Sequence, residues 1–338
     1  MLVTDEGMRL HLTGFRSSLG YLLLTARGNT LFLDGRYMAL ASTVLNDPNL
    51  AIEPLDTDRI VSAVRKAGIA FLGTDCLPDG LEKRLRLELS GIVPSKYVNV
   101  ASIRRIKHPD EIDMISEACV LTDQTFALFR QGIRPGMDET DLHVLWRRSM
   151  LDAGGMEKAF DPIIAIDSGS SYPHYMLMRD QQVGEESIIL VDTGVDAGGY
   201  KSDMTRMLFG PGAAPRITEA YAKLRDIQEK VLIQIQPGGK ISDTAIYCDR
   251  LLGEAGFAGK MMHSLGHGVG LEVHEEPYYR KDGTDVWEEN MVIAVEPGIY
   301  FPGDFGLRIE DTVVVKEGGV VSLTRTPKDL QKSLLWVE

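Results

Sequence analysis

Ile188-Ile189-Leu190-Val191-Asp192-Thr193-Gly194 reads as a strand of the fully buried type that ends on an acid. Eleven residues after Asp192 stands a second acid, in Ser202-Asp203-Met204-Thr205-Arg206, and Gly198-Gly199 between them supplies a turn. The two aspartates can therefore face each other across a hairpin. The pattern recurs downstream. Met291-Val292-Ile293-Ala294-Val295 is another apolar strand and runs straight into Glu296-Pro297-Gly298. Leu307-Arg308-Ile309-Glu310-Asp311-Thr312 then leads into the strand Val313-Val314-Val315. An acid embedded in, or ending, an apolar strand is costly unless it is paired or bound to a metal.

Taken singly, each position has an ordinary reading. Asp192 before Thr193-Gly194 suits a turn, Glu310 can pair with Arg308 on its own strand face, and Glu296 can be an exposed strand end. His267, between glycines, can be a satisfied core histidine. Taken jointly, the four acids and His267 would line one cleft. Four close carboxylates repel one another and shift their pKa values upward. Two divalent ions cancel that charge, with a neutral histidine completing the set and a hydroxide shared between the ions.

Other chemistries lack their motifs. His274-Glu275-Glu276-Pro277 stops short of H-E-x-x-H, Gly259-Lys260-Met261 is no P-loop, and no G-x-S-x-G occurs. The glycines of Gly266-His267-Gly268-Val269-Gly270 form no dinucleotide fingerprint. The composition narrows the field further. The chain has 338 residues, 44% of them hydrophobic and 25% charged, which is a globular composition rather than a disordered one. Its net charge of −13 argues against a nucleic-acid partner, since an acidic surface repels phosphate. No apolar run approaches the roughly 18 residues of a membrane helix, and Met1 to His11 has no signal-peptide core. Cys76, Cys119 and Cys248 are far apart and form no C-x-x-C pair, so reduced thiols and a cytoplasmic location are the simple expectation.

Two regimes divide the chain, and the expected domains are 1–103 and 104–338. In the first, Leu2-Val3-Thr4 opens as a strand with no helix before it. Tyr21–Thr25 and Thr30–Leu33 form a hairpin, and Leu81 to Leu89 has helical leucine spacing. The second opens at Pro109-Asp110-Glu111, a helix start, and predicts a helix to about Arg130. A second helix, capped by Asp138 or Thr140, ends at Ala153-Gly154-Gly155. The same plan returns 102 residues later. Ile115-Ser116-Glu117-Ala118 matches Ile217-Thr218-Glu219-Ala220, and Ile133-Arg134-Pro135-Gly136 matches Ile235-Gln236-Pro237-Gly238. Asp141 matches Asp243, and Ala153-Gly154 matches Ala255-Gly256. The reading is a duplicated unit, two helices feeding strands, packed about a pseudo-two-fold axis with a shared cleft. The fold class is α/β (α+β).

Val191-Asp192-Thr193-Gly194, Ser202-Asp203-Met204-Thr205-Arg206, Val295-Glu296-Pro297-Gly298 and Arg308-Ile309-Glu310-Asp311-Thr312, together with HSLGHGVGLEVHE from His263 to Glu275, resemble the five signature blocks of the pita-bread metallopeptidases, most closely the prolidase (Xaa-Pro dipeptidase) and aminopeptidase P branch. The four acids and His267 are spaced by 11, 64, 29 and 14 residues, as in small microbial prolidases. The resemblance implies that Asp192 binds one metal ion, His267 and Glu296 the other, and Asp203 and Glu310 both. It implies Mn or Co, with Zn or Fe as alternatives, and a metal-held hydroxide as nucleophile with Glu296 shuttling its proton. His263 and His274 resemble the histidines that hold the substrate and its tetrahedral intermediate. His174, in Ser171-Tyr172-Pro173-His174-Tyr175, resembles a third, and Arg308 would orient Glu310 or meet a carboxylate.

The first domain is similar to the creatinase-type domain through Leu12-Thr13-Gly14-Phe15 and Leu33-Asp34-Gly35-Arg36-Tyr37. Relatives usually open that domain with an amphipathic helix, expected here to be missing through a mis-assigned start or a trimmed domain. The domain commonly builds a homodimer. The implied activity is hydrolysis of Xaa-Pro bonds in a di- or oligopeptide, first as a dipeptidase and alternatively as an aminopeptidase on longer peptides. Some prolidases carry an arginine right after His-Glu-x-Pro, where this chain has Tyr278. Three rivals are disfavoured: creatinase and a non-catalytic pita-bread binding protein because every ligand is present, and methionine aminopeptidase because it lacks the first domain.

Overall fold

The computed structural model describes residues 1–69, 71–89, 93–176 and 181–336. The chain divides into two compact units, Met1–Ile103 and Arg104–Glu338.

The first unit is a six-stranded sheet. Its spatial order is Leu50–Pro54, Asn29–Leu33, Gly20–Leu23, Leu2–Val3, Phe71–Thr74 and Val93–Tyr97. The expected hairpin is present, antiparallel with Gly20 opposite Leu33. The leucine-spaced helix runs Asp79–Glu88 and buries Leu81 and Leu85 against Ile60, Val64 and Leu72. Leu2–Val3 is a strand, as read, but a helix that the reading omitted follows at once, at Glu6–Thr13. Asp5 caps its N-terminus by accepting from the Met8 N–H, and Gly14 ends it in the left-handed conformation at φ 67°. Eight residues show little periodicity, so the two caps were the available signal.

In the second unit the duplication is visible element by element. The first pair of helices is Pro109–Gly132 and Glu139–Asp152, and the second is Pro215–Gln234 and Ile241–Glu254. Three of the four boundaries repeat at an offset of 102; the start differs, because a proline at 215 opens the third helix later. Asp138 caps the second helix in a reciprocal box with Asp141. Each helix pair lays an apolar face on strands. Phe129 and Trp146 pack with Ile189 and Val191, while Tyr221 and Leu224 pack with Met207, Phe209 and Ile293.

The strands that follow the helices position the acids. Ile188–Thr193 lies between Ile163–Ile166 and Met204–Phe209 in an antiparallel three-stranded sheet, with Asp192 opposite Thr205. Val292–Val295 pairs antiparallel with Asp311–Lys316 in a five-stranded sheet, with Val295 opposite Asp311. The outgoing strand ends one residue past Asp192 in the first half and one residue before Glu296 in the second, and the returning strand starts one residue after Asp203 or Glu310. Gly198 and Gly199 turn the intervening hairpin with φ 62° and 97°, where a side chain would be strained.

Candidate metal centre

The two strand ends bring the acids together. Ligating atoms of Asp192, Asp203 and Glu310 lie within 4.8 Å of one another, and so do those of His267, Glu296 and Glu310. A third group, Asp203, His267 and His274, meets the same limit. The three sets share members, so they form one cluster of four carboxylates and two imidazoles. His267 Nε2 stands 3.7 Å from Asp203 Oδ2 and 3.6 Å from Glu296 Oε1. Its Nδ1 sits 3.1 Å from the Gly268 carbonyl. A proton on Nδ1 donating there leaves the Nε2 lone pair facing the acids.

Burial makes this cluster untenable as four bare charges. Asp203, Glu310 and His267 are nearly inaccessible, at 4%, 2% and 5% exposure. Burial and the neighbouring carboxylates push Asp203 and Glu310 well above the usual carboxylate range and Glu296 up to about 8. Burial drives His267 down to about 3 and His263 to about 4, so both are neutral near pH 7. Asp192 Oδ1 and Asp203 Oδ1 are buried and have no hydrogen-bond partner. Orphaned buried oxygens in a set of hard oxygen donors with imidazole fit divalent cations.

Arg308 is the charge that the cluster does hold, and the carboxylate it meets is that of Asp192 rather than Glu310. Its Nη2 donates to Asp192 Oδ2 at 2.5 Å, its Nε to Thr205 Oγ1 at 3.0 Å, and its Nη1 to the Tyr300 hydroxyl at 2.8 Å. Thr205 in turn donates to Glu310 Oε2 at 2.7 Å, so Arg308 reaches Glu310 only through that hydroxyl. Asp192 occupies Arg308 because the Met204–Phe209 strand places Thr205 directly opposite Asp192.

Sequence reasoning missed Thr205, Thr312 and Tyr300. Thr312 Oγ1 donates to the Asp203 carbonyl at 2.7 Å and fixes that residue's backbone. Tyr300 accepts from Arg308 and stands 2.8 Å from His263 Nε2, so its own proton goes to the imidazole. Period-two spacing from Asp203 and Glu310 marks Thr205 and Thr312 as facing the same way. Nothing local marks Tyr300, which arrives on a separate hairpin, Gly298–Phe301 with Phe305–Arg308.

The cluster floors a cavity of about 550 Å³ that is also lined by His174, His263, His274, Phe160, Ile163, Val273 and Tyr278. All three histidines expected near a substrate therefore reach it, and all five expected metal-binding residues converge. His274 comes closer to the acids than expected, its ring centroid 4.1 Å from that of His267.

Residues 113–317 match the profile of Metallopeptidase family M24. The Xaa-Pro dipeptidase of Pyrococcus horikoshii is 31% identical over 92% of this chain and 88% of that protein. The crystal structure of the X-Pro aminopeptidase from Thermotoga maritima superposes with a TM-score of 0.89 at 26% identity, covering 99% of this chain and 97% of that one. The P. horikoshii prolidase structure gives 0.88 at 29% identity, covering 97% and 94%. The fold is thus the pita-bread fold that the signature blocks implied. The profile match spans every residue of the clustered acids and histidines, and the chain belongs to metallopeptidase family M24.

Proposed function

We propose that this chain hydrolyses Xaa-Pro peptide bonds with two divalent ions, as an Xaa-Pro dipeptidase. The observation that carries the reading is the convergence of four buried carboxylates and His267, with orphaned oxygens, on one cavity. Asp192 would hold one ion, His267 and Glu296 the other, and Asp203 and Glu310 both. Bound there, the ions supply Lewis acidity and a nucleophilic water at neutral pH. Manganese is the proposed ion, with Co, Zn or Fe able to satisfy the same donors.

The chain's own groups do the rest. Glu296 takes a proton from the attacking water and returns it to the proline nitrogen as the bond breaks. His274 donates from a ring N–H where charge develops on the carbonyl oxygen, and His263, neutral and fixed by the Tyr300 hydroxyl at Nε2 and the Ser264 carbonyl at Nδ1, lines the pocket beside the substrate. His174, at the exposed edge, holds the substrate. Arg308 locks Asp192. Phe160, Ile163, Val273 and Tyr278 form an apolar wall for the proline ring. An Xaa-Pro bond has no N–H, so recognition must come from the ring and the carbonyl.

One observation favours the aminopeptidase reading. Among the described residues lining the cavity, Arg308 is the one arginine or lysine, and Asp192, Thr205 and Tyr300 occupy its donors. A dipeptide's carboxylate thus meets imidazoles and the Tyr278 hydroxyl instead of a fixed cation. Rates on an Xaa-Pro dipeptide and an Xaa-Pro-Yaa tripeptide, in metal-stripped protein resupplied with Mn, Co or Zn, separate the two. Hydrolysis of neither under any metal overturns the proposal. We further assign the chain to a homodimer, tested by light scattering. The cytoplasm is the assigned compartment, consistent with three unpaired thiols.

A further inference from the structure

A second cavity, of about 280 Å³, lies between the helix Pro109–Gly132, the strand Met204–Phe209 and the segment 325–333, and shares no residue with the catalytic cavity. Its apolar lining includes Phe126, Leu208 and Pro327. Its charge is unlike that of the chain as a whole. In a protein of net charge −13, Arg130, Arg325 and Lys332 surround this cavity against one acid, Asp123. That acid is already committed: Oδ1 accepts from the Thr326 N–H and hydroxyl, and Oδ2 from the Arg325 N–H. Arg206 also lines the cavity, but the Asp311 carboxylate and backbone carbonyls take its donors.

Among the described residues no carboxylate pairs with Arg130, Arg325 or Lys332. Arg130 donates from Nη2 to the Leu334 carbonyl at 2.7 Å, yet its buried Nε has no acceptor. A buried donor without an acceptor is rare in native proteins and calls for an explanation. We propose that this cavity binds a small amphipathic anion, with its carboxylate or phosphate at the three cations and its apolar body against Phe126 and Leu208. Charge-assisted contacts fix the head group, and apolar burial selects an organic anion over an inorganic one.

The test uses the metal-loaded full-length chain and three probes in calorimetric titrations. N-acetylleucine carries a carboxylate on an apolar body, its amide carries the same body without charge, and phenyl phosphate carries the alternative head group. The expected result is saturable one-to-one binding of the acid or the phosphate, whichever head group fits, and none of the amide. Arg325→Ala with Lys332→Ala, both exposed and outside the metal centre, is expected to weaken that binding about tenfold or more. Peptide hydrolysis by the double variant is expected to be unchanged. Absence of saturable binding, equal binding of the amide, or binding unchanged in the double variant overturns the site, the last by placing the anion at the metal centre.

Discussion

At the scale of single residues, the centre is a problem of charge with one solution. Glu310 is nearly inaccessible and hydrogen-bonds Thr205, and the other three carboxylates of the cluster are each proposed as ligands already. Glu310→Ala is expected to retain at most one metal equivalent, and two full equivalents by elemental analysis would refute its shared role. Glu296→Gln is expected to abolish turnover while a peptide inhibitor still binds within about tenfold, since it removes a proton carrier and one charge together. His274 calls for a finer experiment. Its ligand atom lies within 4.8 Å of those of Asp203 and His267, so it serves either the substrate or the metal set. A substrate role predicts that His274→Ala lowers kcat far more than it raises KM, at normal metal content. Full rescue by excess manganese would assign it to the metal instead. The acids and histidines were legible in the sequence because buried charge is conspicuous in apolar strands. Tyr300 was not, because a tyrosine beside glycine and isoleucine looks like any strand residue until a second hairpin carries it to Arg308.

At the scale of elements, geometry rests on close backbone approach. A Cβ at Gly194 would lie 2.0 Å from the Ser202 carbonyl oxygen. That contact sits between the residues carrying Asp192 and Asp203. Gly194→Ala is therefore expected to force the two chain segments apart and to weaken metal affinity as well as stability. Wild-type affinity in a folded Gly194→Ala variant, by competition with a chelator, would show that the segment spacing is not critical. The helix pairs were the most legible elements. Their boundaries followed from Pro109, Asp138 and the glycines after each helix, and the 102-residue offset reproduced all of them but the start of the third helix. The helix Glu6–Thr13 was passed over because eight residues with one acid in the first turn carry little periodicity. The sequence left Arg308 to orient Glu310 or to meet a carboxylate, and strand register brings it to Asp192.

At the scale of the whole molecule, the cluster couples stability to pH and to metal. Without metal, Glu296 holds its proton up to about pH 8, and Asp203 and Glu310 are also raised, whereas in the unfolded chain all three ionise near pH 4. The folded metal-free state thus binds more protons than the unfolded state, and its stability falls as pH rises through that window. His263 and His267 act oppositely. Their lowered values cost stability below the unfolded value of 6.5 and nothing above it. Between about pH 6.5 and 8 the three acids outweigh the opposing N-terminal amine, whose pKa burial lowers, each retained acid proton being worth about 1.4 kcal/mol per pH unit. The melting temperature of metal-stripped protein is expected to fall across that interval. Metal-loaded protein, whose carboxylates stay ionised, is expected to show no such fall. Parallel curves for the two forms would contradict the cluster's role as the metal site.

The central claim is that these five side chains hold two ions side by side, and anomalous diffraction from a manganese-loaded crystal measures it directly. The account predicts two anomalous peaks about 3.5–4 Å apart, one against Asp192 and the other against His267 and Glu296, with Asp203 and Glu310 touching both. A single peak, or peaks away from these residues, would contradict it.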